Sequence, residues 1–67
     1  MGECVVNGRK RPLGSPVALL ALLAELGLES RWALIELNGE PLDRAAYDKT
    51  TVHDGDRIEI ATPMAGG

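Results

Sequence analysis

The stretch that decides the fold is Val52-His53-Asp54-Gly55-Asp56-Arg57-Ile58-Glu59-Ile60, near the end of a 67-residue chain. Its Asp-Gly dipeptide is typical of a turn. The residues after the turn alternate between charged and apolar types, as a half-buried strand does. We therefore predict a strand over residues 57–60, with both isoleucines on its inward face.

A strand is also predicted over Trp32–Leu37, where Glu36 marks the solvent face by its charge. Alternation gives an inward set of Ala33, Ile35 and Leu37. Trp32 and Leu34 then share the outer face with Glu36, and such an apolar spot is a candidate docking surface for a partner. A second interpretation places Trp32 over the end of the helix as a lid on the core, and the sequence favours neither.

The N-terminal residues are typical of a β-hairpin. Strands are predicted over residues 3–7 and 9–13, around an Asn-Gly dipeptide that favours a two-residue turn. Cys4 and Val6 then share the buried face. We interpret Cys4 as a small core residue rather than a nucleophile, because the chain has no second cysteine and offers no nearby base.

One helix is predicted over about residues 16–26. Ser15 suits the N-cap, Pro16 the first helical position, and Gly27 the position just after the end. The buried stripe is expected to contain Leu19, Leu20, Leu23 and Leu26. Leu22 is left outside the stripe and is expected to be half exposed.

Between the last two strands, an Asn-Gly dipeptide at positions 38 and 39 turns the chain. The polar segment from Asp43 to Tyr47 is short enough for one helical turn capped by Asp43. His53, Asp54 and Asp56 are a weak candidate metal site. Because the chain has no second histidine and turn chemistry explains the Asp-Gly pair, we expect no metal there.

Composition limits the partners of this chain. A formal net charge of -3 argues against nucleic acid, which needs a positive surface. The chain has no Phe, one Trp and one Tyr, so it offers few platforms for base stacking. An acidic protein that docks on basic enzymes is the simpler interpretation.

A signal peptide is the main alternative to a soluble cytoplasmic protein. Basic residues 9–11 precede an apolar stretch over residues 17–26, as in a secretory leader. Cleavage after Ala24 would leave about 40 residues, near the limit for unaided folding, with no cysteine pair to compensate. The stretch is also too short to span a bilayer, which takes about 20 apolar residues. We expect a cytoplasmic protein.

The order of elements predicts an α+β domain over residues 1–62, followed by a flexible tail over residues 63–67. One helix has to cover one face of a mixed sheet of four to five strands, because its leucines have no other surface to bury against. With the last strand parallel to the first in the centre of the sheet, this is the β-grasp or ubiquitin-like arrangement.

The C-terminal Gly66-Gly67 is the remaining chemical feature. A terminal carboxylate is an anion at neutral pH and is able to attack the α-phosphate of ATP. Two residues without Cβ fit a narrow channel and leave the terminal carbonyl unhindered.

At this point the chain resembles the ThiS family of ubiquitin-like sulfur carriers. The motifs that carry the resemblance are Ala33-Leu34-Ile35-Glu36-Leu37-Asn38-Gly39-Glu40, Arg44 with Tyr47, residues 52–60, and Ala65-Gly66-Gly67. Each motif alone is weak, but together they stand in order and at the family's spacing. Residues 1–32 agree with the family only in pattern, and Trp32 has no assigned role in it.

The resemblance implies a protein substrate rather than an enzyme, with no cofactor bound to the chain itself. An E1-like adenylyltransferase of the ThiF type would adenylate Gly67 with ATP and Mg²⁺. Sulfur relayed from a cysteine desulfurase would then displace AMP and leave a thiocarboxylate. Met64, Ala65 and Gly66 would be recognised in the channel of that enzyme, and a thiazole synthase of the ThiG type would accept the sulfur for thiamine synthesis.

Several alternatives stay open at this stage. Related carriers supply sulfur for molybdopterin, cysteine, thiolated tRNA or specialised metabolites, although the Arg44 and Tyr47 element favours the thiamine branch. A ubiquitin-like protein modifier would use the same tail, and a plain interaction domain would use only the body. The sequence does not determine the acceptor enzyme or the oligomeric state.

Overall fold

The computed structural model describes residues 2–63. The elements in chain order are β1 (Gly2–Val6), β2 (Arg9–Leu13), β3 (Val17–Ala18), α1 (Leu19–Glu25), a 3-10 helix (Ser30–Trp32), β4 (Leu34–Leu37), β5 (Glu40–Pro41), a second 3-10 helix (Arg44–Lys49), β6 (Thr51–Val52) and β7 (Arg57–Ala61). The main sheet has five strands in the order β2-β1-β7-β4-β5, and β3 pairs separately with β6. This mixed sheet with one principal helix confirms the predicted β-grasp fold.

The last strand lies in the centre of the sheet, as predicted. β7 is parallel to β1 through Val5 opposite Arg57 and Val6 opposite Ile58. It is antiparallel to β4. The N-terminal hairpin is also confirmed, since β1 and β2 are antiparallel around the Asn-Gly turn. Asn7 in that turn has a φ of 50°, a left-handed conformation that asparagine tolerates better than most residues.

The predicted start of the helix is wrong. Val17 and Ala18 are extended because they pair with the β6 strand, so α1 begins only at Leu19. Its N-cap is therefore Ala18, which provides no side-chain hydrogen bond, and the predicted cap at Ser15 is not formed. The backbone N–H of Leu19 donates to the carbonyl of Thr50 at 2.9 Å, which continues the β3 pairing into the helix.

The predicted end of the helix is confirmed. Gly27 has a φ of 75° and follows the C-cap residue Leu26. Its N–H donates to the carbonyl of Ala24 at 3.0 Å, and the N–H of Leu28 donates to that of Leu23 at 2.9 Å. These two bonds are the Schellman arrangement, which satisfies carbonyl groups left open at a helix end.

The buried stripe of α1 differs from the prediction at three leucines. Leu22 is buried with Leu19 and Leu23, while Leu20 is exposed and Leu26 is only partly buried. Residues at i, i+3 and i+4 share a face of a helix, so Leu22 and Leu23 lie on the same face as Leu19, whereas Leu20 does not.

The core lies between α1, the second 3-10 helix and the inner face of the sheet. Its buried members are Cys4, Leu13, Leu19, Leu22, Leu23, Ala33, Ile35, Tyr47, Val52 and Ile58. The inward sets predicted for β1, β4 and β7 all contribute to it, with Val6, Leu37 and Ile60 partly buried at its margin. No helix in residues 2–63 is long and apolar enough to cross a membrane.

Candidate functional site

The predicted reactive end of the chain is Gly67. Gly67 and the predicted recognition residues Met64, Ala65 and Gly66 all lie outside the described residues. The strand that precedes them, β7, is described and ends at Ala61. Six residues follow Ala61, and a fully extended chain of that length spans about 20 Å. An enzyme that binds the Gly67 carboxylate therefore has to lie within about that distance of the end of β7.

The end of β7 is held from both sides. On one side, Leu34 of β4 lies opposite Ala61, and Ile35 lies opposite Ile60. On the other side, the side chain of Asn7 accepts a hydrogen bond from the Ile60 N–H at 2.7 Å and donates one to the Ile60 carbonyl at 3.2 Å. Sequence reasoning assigned Asn7 only to a turn, because a contact across 53 residues leaves no local signal.

The outer face of the sheet at this end carries an apolar and acidic surface, which we call the outer-face patch: Leu34, Glu36, Pro41, Glu59 and Ala61. The pairing register places Leu34 opposite Ala61, and Glu36 between Glu59 and Pro41. Leu34 is 60% exposed, which is unusual for a strand leucine. Within residues 2–63 neither glutamate of the patch forms an ion pair. Leu34 and Glu36 therefore share the outer face, as predicted.

Trp32 does not lie on the strand. The N–H of Trp32 donates to the carbonyl of Glu29 at 3.0 Å, and the N–H of Ala33 donates to that of Ser30 at 3.2 Å. These local bonds wind the chain into a 3-10 helix, so Trp32 takes no place in the sheet. The lid interpretation is also wrong, because Trp32 is 55% exposed. Its ring lies against the guanidinium of Arg31, 5.3 Å from the ring centroid.

The Arg44 and Tyr47 element braces the loop that leads into β4. The buried hydroxyl of Tyr47 donates to the carbonyl of Ala33 at 2.8 Å, and Arg44 donates to the carbonyl of Ser30 at 2.7 Å. The Arg44 guanidinium also lies 5.5 Å from the centroid of the Tyr47 ring. Asp43 caps this 3-10 helix as predicted, accepting from the Ala45 N–H at 3.2 Å. The element thus sets where β4 begins, and with it the position of the outer-face patch.

The contacts of Cys4 and of the acidic residues near His53 indicate that these residues have structural roles. Cys4 is buried, and burial raises the pKa of its thiol. Asp54 accepts a hydrogen bond from the Glu3 N–H at 2.9 Å, and Asp56 accepts bonds from the His53 N–H at 2.8 Å and from the Asn38 side chain at 3.0 Å. In the part of the chain that the structure describes, no three His, Cys, Asp or Glu side chains are grouped as metal ligands.

A mixed five-stranded sheet with its last strand in the centre and one principal helix is the β-grasp fold of the ubiquitin-like class of proteins. Among residues 2–63, the Cys4 side chain is fully buried, so its thiol is not accessible as a nucleophile in the folded chain. The chain belongs to the ThiS family, which matches residues 3–67. Members of this family are small sulfur carrier proteins rather than catalysts.

A solved structure and related sequences are similar to this chain over most of its length. The crystal structure of a thiamine biosynthesis protein (ThiS) from Geobacter metallireducens superposes with a TM-score of 0.80 at 37% identity, covering 97% of this chain and 99% of that one. A thiazole synthase from Paramagnetospirillum magneticum is 38% identical over 65 residues, which is 97% of this chain but only 20% of that protein's length. A protein named ycf40 from Porphyra purpurea is 32% identical over 62 residues, covering 92% of this chain and 87% of that protein.

Proposed function

We propose that this chain carries sulfur as a thiocarboxylate on Gly67 and delivers it to a thiazole synthase in thiamine biosynthesis, in the cytoplasm. The observation that carries the pathway is the Paramagnetospirillum magneticum relative. There, a segment 38% identical to this chain is part of a protein named thiazole synthase. A carrier and its sulfur acceptor joined in one polypeptide would meet at high effective concentration, which supports a thiazole synthase of the ThiG type as the partner here.

The chemistry takes place at one carboxyl group. A carboxylate oxygen of Gly67 attacks the α-phosphorus of ATP in an E1-like enzyme of the ThiF type, and pyrophosphate leaves. The terminal sulfur of a persulfide, relayed from a cysteine desulfurase, then attacks the carbonyl carbon, and the C–O bond to AMP breaks to leave an acyl disulfide. A thiol reductant afterwards cleaves the S–S bond, so that the relay sulfur ends in a disulfide and the thiocarboxylate is released. The enzyme supplies Mg²⁺ and the electrostatic stabilisation of both steps. This chain supplies an accessible end, since Gly66 and Gly67 have no side chains to obstruct the approach.

The outer-face patch is the proposed docking surface for the activating enzyme. It borders the end of β7, so an enzyme that reaches Gly67 across about 20 Å of extended chain also reaches the patch. An exposed leucine beside two glutamates that form no ion pair within residues 2–63 is complementary to an apolar surface flanked by lysine or arginine. Trp32 remains a separate docking candidate on its 3-10 helix.

The decisive experiment is intact mass after activation. The purified chain is incubated with the E1-like enzyme, ATP, Mg²⁺ and hydrosulfide, which can displace AMP directly. We expect the mass change for replacement of one oxygen by sulfur. A chain lacking Gly67 should fold normally and show no change, since the buried core of the described residues runs from Cys4 to Ile58. A wild-type chain that stays unmodified would count against the proposal.

Docking is tested with two exposed leucines. Leu34→Ser alters the outer-face patch, whereas Leu20→Ser alters an exposed residue of α1 that is 38% exposed. We expect Leu34→Ser to raise the KM for the carrier in ATP–pyrophosphate exchange about tenfold, and Leu20→Ser to leave it within about twofold, because truncating a central apolar anchor costs more than 1 kcal/mol. Equal effects of the two changes would place the docking surface elsewhere.

A further inference from the structure

The parallel pairing of β1 with β7 follows a regular ladder. The N–H of Val5 donates to the carbonyl of Asp56 at 2.9 Å, and the N–H of Asn7 donates to that of Ile58 at 2.9 Å. The next carbonyl of β7 in this series belongs to Ile60. No backbone of β1 is left to pair with it, because β1 ends at Val6 and the chain turns.

The side chain of Asn7 takes the place of the missing strand residue. Its Nδ2 donates to the Ile60 carbonyl at 3.2 Å, and its Oδ1 accepts from the Ile60 N–H at 2.7 Å. A carboxamide has the same donor and acceptor groups as a peptide unit. The ladder is thus continued by one step with a side chain, and both backbone groups of Ile60 are satisfied.

We propose that Asn7 is a positioning residue for activation of the chain, which rests on the function proposed above. Ile60 stands seven residues before Gly67. With Asn7 on one side and β4 on the other, the direction in which the chain leaves the sheet is fixed. A fixed departure lowers the entropy lost when the terminal residues enter an enzyme channel.

Asn38 offers a matched comparison. It also belongs to an Asn-Gly turn, with a φ of 53°. Its Oδ1 accepts from the Arg57 N–H at 2.9 Å, and its Nδ2 donates to the carboxylate of Asp56 at 3.0 Å. Asn38 therefore makes two side-chain bonds like those of Asn7, but at the beginning of β7, away from the terminal segment.

The test compares Asn7→Gly with Asn38→Gly, because glycine keeps the positive φ and removes only the side-chain bonds. In native-state hydrogen exchange, Asn7→Gly should accelerate exchange of the Ile60 amide about tenfold, and Asn38→Gly should do the same for the Arg57 amide. In ATP–pyrophosphate exchange with the E1-like enzyme, Asn7→Gly should raise the KM for the carrier about three- to tenfold with kcat unchanged, while Asn38→Gly keeps the KM of the wild type.

The outcomes separate the two proposals. A wild-type chain that is not adenylated overturns the proposed function, and this role of Asn7 with it. If the wild type is adenylated but Asn7→Gly keeps its KM, or both glycine variants raise KM alike, only the role of Asn7 is overturned. Asn7→Asp keeps the acceptor and loses the donor, so its KM should lie between those of the wild type and Asn7→Gly. If Asn7→Gly does not fold, the KM of Asn7→Asp tests the positioning role of Asn7 in its place.

Discussion

The two faces of the five-stranded sheet use the same strands for opposite purposes. On the inner face, Ile35 and Ile58 are buried in one cluster with leucines of α1, and no polar or charged residue is buried with them among the described residues. On the outer face, one residue away along the same strands, Leu34 is exposed and Glu36 lies opposite Glu59. Side chains alternate between the faces of a strand, so one short sequence such as Leu34-Ile35-Glu36 serves both.

The difference between the two faces separates the residues that stabilise the fold from those available to bind a partner. The inner face stabilises the fold by removing apolar area from water. The outer face gains little from Leu34 and loses some stability where two carboxylates are directly opposed. We infer that substitutions on the inner face act on folding, while those in the outer-face patch act on the partner.

The largest effect is expected at the Cys4 thiol. Because Cys4 is fully buried, a thiol reagent has to wait for the chain to open, and a domain stable by about 5 kcal/mol should react roughly 5,000-fold more slowly than the unfolded chain. Reaction with a chromogenic disulfide, with and without urea, measures this ratio. Comparable rates in the two conditions would mean that the inner face is open.

The same thiol predicts a pH dependence. Burial raises the pKa of Cys4 above its unfolded value of about 8.5, so the folded state binds the proton more tightly than the unfolded state does. This contribution is complete below about pH 8 and is lost as the pH rises through the unfolded value towards the folded one. Urea unfolding at pH 7 and pH 10 should show a smaller loss of stability in Cys4→Ala than in the wild type.

The next effect contrasts the two faces directly. Ile58→Ala removes a fully buried side chain and should lower the free energy of unfolding by about 2 to 5 kcal/mol. Leu34→Ala, at a mostly exposed site, should change it by no more than about 0.5 kcal/mol. Urea denaturation of both variants checks the contrast. Similar losses would show that the outer face is part of the folding core.

A smaller effect is expected at the hydrogen bond between Tyr47 and the residue that precedes β4. Tyr47→Phe removes the hydroxyl that donates to the buried Ala33 carbonyl at 2.8 Å. The carbonyl is then left without its partner, and the free energy of unfolding should fall by about 1 to 3 kcal/mol. Urea unfolding, followed by the fluorescence of Trp32, measures this change in the free energy of unfolding. A loss below about 0.5 kcal/mol would mean that water replaces the hydroxyl.

Sequence patterns predicted those parts of the fold that depend on local alternation and turn chemistry. Glu36 identified the solvent face of β4, and the Asn-Gly dipeptides located the turns at residues 7–8 and 38–39. The start of α1 was missed because Val17 and Ala18 are held extended by Thr51 and Val52, more than 30 residues away. A distant pairing of this kind overrides the local preference of Ser15 for a cap.

The candidate site was predictable to a similar degree. Leu34 and Glu36 followed from alternation, but Glu59 joins them only through the register of β4 with β7. Trp32 was wrongly predicted to lie in the strand. It ends a 3-10 helix over Ser30–Trp32, and no pattern in the sequence indicates this helix. The Asn7 contact to Ile60 likewise depends on strand order, which no local pattern contains.

The smallest effect tests the repulsion across the outer-face patch. Glu36→Gln keeps the size of the side chain and removes one of two directly opposed charges, so the free energy of unfolding should rise by about 0.2 to 1 kcal/mol at low salt. Added salt should reduce the gain, since screening weakens the repulsion in the wild type. Glu40→Gln is the control, because Glu40 lies opposite Leu37 and not opposite a carboxylate. A gain of equal size in Glu40→Gln would mean that net charge, rather than the opposed pair, destabilises the sheet.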